Sequence, residues 1–541
     1  MRHRAQENAG QLGPPRFFGR DAAWGWALFV FLLAVYQING DILPGNDAKP
    51  NTYLSLSLLG HGNLSFTPRE TPFMFTWHLQ TPAGRQTISF NTWADTFRGQ
   101  SASQLYDSGV LTFHEPRYFL VPTAREGIYV STFGPGPGLF ALPVMAVLDI
   151  ITGDLAAHPK ALWYGAKFAA ALAVAASAVF VFLTALAFTS RWKALIVALA
   201  YGLGTCVWST SSQALWQHGP NEFFLALGTF FLTRVGRGRR YAAFCALAYA
   251  CAVVCRPTSA VVVVAVAAYL AIADRKSLLM YVLAGLPIAV LLGWHNAHYF
   301  GSPFRFGQFL VASQIAQSKT GIPYLWQTPL WEGAAGLLVS PSRGLLVYSP
   351  FMALALWGIW ATWRNRTFAP LRPLTVALAV LLCVAFKWYD WWGGWSFGYR
   401  QIVDTTPILA VLLVPAVDRL WRHKVLLGAF GALLAWSMFV QVIGAFAYDP
   451  ASWNAKRQYE VSVPGRSQPV VVSGDAEARH LARIPGARLL NVRNMDVDLP
   501  AYRYRLWTLA DSQVLYCLSN FGESRALKRE TVAHWIQTPS D

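Results

Sequence analysis

The sequence predicts an all-α polytopic membrane protein of about eleven transmembrane helices, with a large first outer loop of interfacial helices and a small C-terminal α/β region outside the membrane. Three observations predict it. Only 13% of the 541 residues are charged, about half the share a soluble domain carries. Mean hydropathy is +0.34, and many apolar runs reach the roughly 20 residues that a bilayer-crossing helix needs. Short Lys/Arg clusters separate these runs, as in cytoplasmic loops that hold a topology. That distribution also accounts for the net charge of +17 without nucleic acid as a partner.

Basic residues Arg2, Arg4, Arg16 and Arg20 precede an apolar run with no small-residue cleavage site after it, so residues 1–21 read as cytoplasmic and 22–39 as an uncleaved first helix. Residues 40–160 then form the outer loop, and 161–446 hold transmembrane helices 2–11. These are expected near 161–189, 194–210, 220–234, 241–255, 258–273, 277–299, 343–363, 373–389, 402–418 and 425–446. With them, the clusters Arg191–Lys193, Arg234–Arg240, Arg275–Lys276, Arg364–Arg372 and Arg419–Lys424 all fall on the cytoplasmic side. The run Gly138–Ile151 breaks that parity if it crosses. It is about 14 residues long, a length more often re-entrant or interfacial than spanning. The tail 447–541 is left outside, with β-like stretches at Pro469–Val472, Tyr502–Leu506 and Val514–Leu518. Five of the six cysteines fall in apolar runs, so neither a structural disulfide nor a Cys-based zinc site is expected.

Candidate chemistry gathers at the outer ends of the helices. Asp47 directly follows the first helix and precedes Leu54, Leu58 and Leu59, whose spacing suits an interfacial helix. Asp47 is an effective helix cap; a carboxylate beside an apolar groove is equally placed as a general base, because desolvation raises its basicity. Lys49 is one turn away as a binding residue. Trp216-Gln-His218-Gly-Pro220-Asn221-Glu222 opens the fourth helix. Its plainer reading has Pro220 at the first helical position and Glu222 favoured by the helix dipole. The loop Lys387–Arg400 holds Asp390, Trp395, Tyr399 and Arg400 among glycines and tryptophans, denser than an interfacial belt needs. Aromatic faces flanked by polar groups suit sugar stacking. Arg256 beside Pro257, Arg343 in Ser340-Pro-Ser-Arg343, and His295 and His298 are further ionisable residues near membrane depth. No Walker motif or phosphate-binding Gly loop is present, so no cofactor is expected, with a divalent metal left open.

Asp47 through Gly60-His61-Gly62-Asn63, followed by the Pro-containing turn Thr132-Phe-Gly-Pro135-Gly-Pro137-Gly-Leu139-Phe140, resembles the GT-C superfamily of membrane glycosyltransferases. That group includes the protein O-mannosyltransferases and the lipid A aminoarabinose transferase. The resemblance covers about the first 240 residues in topology. Where many relatives carry a Lys in the Pro turn, this chain has Gly134 and Gly136. The resemblance implies a GT-C-like fold and a polyprenyl-phosphate sugar donor, with a glycan, lipid or protein acceptor. It implies a bacterial inner membrane with the site facing the periplasm. It makes Asp47 the base and Glu222 a second acidic group facing it. Arg400, with Arg343 or Arg256, is the candidate donor-phosphate contact because guanidinium binds oxyanions in a bidentate way, and His218 is a further substrate-binding candidate. A flippase of lipid-linked sugars or a non-catalytic assembly subunit are the competing classes.

Overall fold

Alanine sets the packing of the helix bundle. In the computed structural model, which describes residues 20–81, 84–89, 102–473 and 475–537, the helix Pro159–Ala185 carries Ala169, Ala170, Ala171, Ala173, Ala175 and Ala178, all fully buried. Side chains this small let neighbouring helices approach closely. The 159–185 helix accordingly packs against Arg20–Gln37, Arg191–Gly204 and His218–Leu232. Elsewhere Gly358 of the Leu354–Arg364 helix lies against the Leu412 carbonyl of Thr406–Leu420, with no room for a Cβ.

The protein is mostly helical, and five stretches are long and apolar enough to cross a membrane: Pro159–Ala185, Arg275–Phe300, Arg366–Lys387, Arg400–Leu420 and Lys424–Ala447. Among them 275–300 exposes Leu279, Val282, Leu283, Leu286, Val290 and Leu291 in a continuous band. A soluble protein does not leave such a patch to water. The chain is therefore an integral membrane protein. Shorter apolar helices include Asp21–Gln37, Gly136–Thr152, Arg240–Cys255, Pro257–Ala273 and Leu330–Val339. The helix expected over 343–363 is broken into Leu345–Tyr348, a tight turn Pro350–Ala353 and Leu354–Arg364, because Pro350 supplies no N–H and pushes Ser349 out of helical geometry.

The first outer loop departs from an all-helical expectation. After the Ala48–His61 helix it forms a three-stranded antiparallel sheet, Gly84–Ser89 beside Phe75–Thr81 beside Leu111–Pro116, and a two-stranded ribbon of Leu120–Pro122 with Tyr129–Ser131. Phe66, Phe75, Trp77 and Leu111 fill its core. Ser55 of the 48–61 helix donates to the Gly138 carbonyl, joining the loop to the 136–152 helix.

Beyond residue 447 lies the expected small sheet: Val470–Ser473, Ala455–Ser462 and Arg488–Asp496, antiparallel. Two of the expected strands are helical instead. Pro500–Leu506 is a 3-10 turn started by its proline, and Gln513–Ser519 is an α-helix that buries Val514 and Cys517 at i, i+3. Apolar runs this short carry no period that tells strand from helix. The final helix Phe521–Gln537 returns to the bundle, where the fully buried Lys528 donates to the Ala445 carbonyl at 2.6 Å. Residues 1–19, expected on the cytoplasmic side, lie outside the described residues.

Candidate functional site

One cavity of about 630 Å³ lies where these segments converge. The first loop contributes Asp47 and Tyr118, the 218–232 helix His218, the break after Cys255 Arg256, and the 388–405 segment Asp390, Trp395, Arg400 and Asp404. Asp496, Asp498, Thr531 and Trp535 come from beyond residue 447. Its remaining wall is apolar: Phe309, Val311, Ala312 and Ile315 of the Gly307–Thr320 helix face Leu381, Val384 and Ala385 of Arg372–Lys387.

Asp47 occupies the position before the 48–61 helix, yet its carboxylate makes no cap bond. Oδ2 accepts instead from Arg400 Nη1 at 2.8 Å, and Oδ1 from the Tyr118 hydroxyl. The capping alternative thus has no hydrogen bond behind it. Arg400 is held from three sides. Its Nη2 donates to the Gly393 carbonyl at 2.9 Å, and its guanidinium lies 4.6 Å from the centre of the Trp216 ring. The loop can curl back this far because Gly393 and Gly394 take φ of 74° and 59°, a backbone region that side chains disfavour.

A second ionic group centres on Asp404. Its Oδ2 pairs with Arg256 and lies 3.0 Å from His218 Nδ1; its Oδ1 accepts from Asn221 Nδ2 at 2.9 Å. Ser259 in turn donates to Asn221 Oδ1 at 2.7 Å. With Arg256 and Asn221 both donating, Asp404 serves as an anchor. Arg256 Nη1 also lies 2.9 Å from His218 Nδ1, so that nitrogen is shared between a guanidinium that only donates and a carboxylate that only accepts.

No protein-family model matches this chain. No curated protein matches it either.

Five expected site residues therefore line the cavity together with Asp47: His218, Arg256, Asp390, Trp395 and Arg400. Four do not. Glu222 is fully buried and accepts from Ser211 at 2.7 Å, behind the cavity rather than opposite Asp47. At 3.6 residues per turn it sits about 100° round the helix from Asn221, which takes the Asp404 side. Arg343 is also fully buried, and its guanidinium is consumed by Trp392 O, Ser342 O, Gly394 O, Gln513 Oε1 and Asn454 Oδ1. It is a scaffold residue, unavailable to a donor. Tyr399 points inward, bonding Ser349 and the Cys206 N–H through its hydroxyl. Lys49 lies over the Trp535 ring at 4.4 Å, outside the cavity, and burial with Arg117 nearby pushes its ammonium down to about 7. His295 and His298 do not line the cavity either.

Lys319, Asp496 and Asp498 were not among the expected site residues, although Asp496-Val497-Asp498 is an acidic pair in the sequence. Lys319 Nζ bridges Asp498 at 2.9 Å and Asp390 at 3.4 Å, tying the 307–320 helix to the 388–400 loop and to the C-terminal region. Among the described residues no group of three or more His, Cys, Asp or Glu is placed to hold a metal ion.

Proposed function

We propose that the chain is a GT-C-type glycosyltransferase that moves a sugar from a polyprenyl-phosphate donor to a hydroxyl acceptor with inversion. The observation that carries this reading is the pairing of Asp47 with Arg400 in one cavity whose other wall is apolar. Arg400 and Arg256 are suited to a phosphate, since guanidinium forms charge-assisted, bidentate bonds to oxyanions. The prenyl chain would lie along Phe309, Val311, Ile315, Leu381 and Val384. The arrangement fits an eleven-span topology with 136–152 dipping into the outer leaflet, and a site on the periplasmic face of a bacterial inner membrane.

The resting ion pair has a mechanistic consequence. A donor phosphate that engages Arg400 draws it from Asp47 and leaves that carboxylate free, still positioned by Tyr118. Asp47 then takes the proton of the acceptor hydroxyl. The acceptor oxygen bonds to the anomeric carbon while the bond from that carbon to the phosphate oxygen breaks, and polyprenyl phosphate leaves on the arginines. Base release thus depends on donor binding, which guards against premature hydrolysis. A second reading places the proton on His218, which lines the same cavity.

Proteoliposomes given a labelled polyprenyl-phosphate sugar and a mixed acceptor pool test both. Asp47→Asn is expected to lower transfer by roughly 10²–10⁴-fold with the protein still folded. Near-normal turnover in that variant together with a comparable loss in His218→Gln moves the base to His218. Movement of intact donor across the bilayer without release of polyprenyl phosphate would replace the transferase with a flippase.

A further inference from the structure

Four tryptophans line the cavity: Trp216, Trp388, Trp395 and Trp535. Three have their rings occupied. Trp216 carries Arg400, Trp388 meets Trp326 and Tyr389, and Trp535 lies between Lys49 and Trp163. The Trp395 ring has no aromatic or cationic partner among the described residues and is 38% exposed. It is nevertheless fixed. Its indole N–H donates to Asp496 Oδ1 at 2.9 Å, and that oxygen also accepts the Asp498 backbone N–H at 2.9 Å. Asp496 Oδ2 makes no bond among the described residues, and Asp496 lines the same cavity.

A rigid aromatic face beside an open carboxylate oxygen is chemically particular. The ring covers the C–H face of a pyranose, and the carboxylate accepts a ring hydroxyl in a short, charge-assisted bond. A lipid alcohol offers the carboxylate one hydroxyl but brings no flat C–H ring face to the indole. A Ser or Thr in a peptide has one hydroxyl, no flat C–H face, and backbone groups that this spot does not answer. Lys319 bridges Asp390 and Asp498, whereas Asp496 Oδ2 makes no bond among the described residues. A carboxylate on the sugar would meet that oxygen directly, which disfavours anionic sugars.

We propose that Trp395 and Asp496 form a subsite for a neutral, hydroxyl-rich sugar ring, and that the acceptor is therefore a glycan. The acceptor role rests on the transferase reading above; the sugar binding itself is measured independently of it. The full-length protein in nanodiscs is titrated by saturation-transfer NMR with cellobiose, maltose and a uronic-acid disaccharide, and polyprenyl-phosphate binding is followed in parallel. A neutral disaccharide is expected to bind. Trp395→Ala should weaken it at least tenfold, and Asp496→Asn several-fold. Trp395→Phe, which retains a stacking face, should fall between wild type and alanine. Polyprenyl-phosphate affinity should stay within twofold in all three variants. No disaccharide binding to the wild type, equal affinity in Trp395→Ala, or preference for the uronic-acid sugar overturns the subsite while the donor reading stands. Absence of polyprenyl-phosphate binding from the wild type sinks the donor reading, and with it the acceptor role.

Discussion

Arg343 and Arg400 grip the same loop from opposite sides. Arg343 takes the carbonyls of Trp392 and Gly394, and Arg400 takes the carbonyl of Gly393 between them. Their remaining partners differ. Arg343 spends every other donor on neutral acceptors and has no access to the cavity. Arg400 has one carboxylate partner, Asp47, and lines the cavity. A guanidinium bonded only to carbonyls and amides has nothing to exchange; one paired to a carboxylate at a cavity wall can trade that partner for a phosphate. Sequence position alone separates them poorly, since each follows a Gly- or Ser-containing turn before an apolar helix.

Mutations sharpen the contrast. Arg343→Ala should have the largest effect on stability in this pair. It strands two buried acceptors, Trp392 O and Asn454 Oδ1, each worth about 1–3 kcal/mol when unsatisfied, and takes one donor from Gly394 O, Ser342 O and Gln513 Oε1, so a loss of several kcal/mol is expected even if water enters. Thermal denaturation of the detergent-solubilised protein checks this, and an unshifted midpoint would erase the distinction drawn here. Arg400→Ala should lose less stability, because Asp47 keeps the Tyr118 hydroxyl. Its main cost falls on polyprenyl-phosphate affinity, about 1.5–3 kcal/mol for a charge-assisted contact, or roughly 10- to 150-fold. Arg400→Lys retains the charge but not the fork, and a deficit between wild type and alanine is expected in the same binding assay.

The smallest effect concerns pH. Lys49 and Lys528 lie in the outer segments, and burial pushes them down to about 7 and about 8 respectively. Between those values and the ordinary range near 10.5 the unfolded chain holds protons that the folded chain has released. Stability therefore rises with pH across that window. A melting midpoint that climbs from pH 7 to pH 10, with a shallower climb in Lys49→Met, is the expected result. A slope unchanged by the substitution would show that Lys49 stays charged over Trp535.

Much of the helical framework is legible in the sequence. Expected helices near 241–255, 277–299 and 425–446 match Arg240–Cys255, Arg275–Phe300 and Lys424–Ala447, because apolar length and flanking charge are local properties. The gathering of Asp47, Arg256 and Arg400 is partly legible for the same reason: each is a charge beside an apolar run. Glu222 shows where that logic stops. Its helix start was visible, but the side of the helix facing the cavity depends on where Asp404 and Ser211 lie. Asp404 itself was open to detection as an ionisable residue just ahead of Pro407 in an apolar stretch. The sheet in the first loop was missed although Phe75–Thr81 alternates strictly, with Phe75, Trp77 and Leu79 on the buried face, a strand signal the sequence does carry. Asp496 and Trp535 were out of reach, since only the tertiary return of the 521–537 helix and its neighbours brings them to the cavity.

The Asp47–Arg400 bond also bears on how the protein is made. Its two residues are 353 positions apart in the chain, so during synthesis Asp47 emerges long before its partner. Contacts of such sequence separation form late in folding. For most of that interval the nascent loop displays an unneutralised carboxylate. The insertion of the helix behind Arg400 is then the event that converts a set of independently inserted segments into a working site. A maturation checkpoint, read as protease resistance of the first loop, would be reached only when that segment is in place.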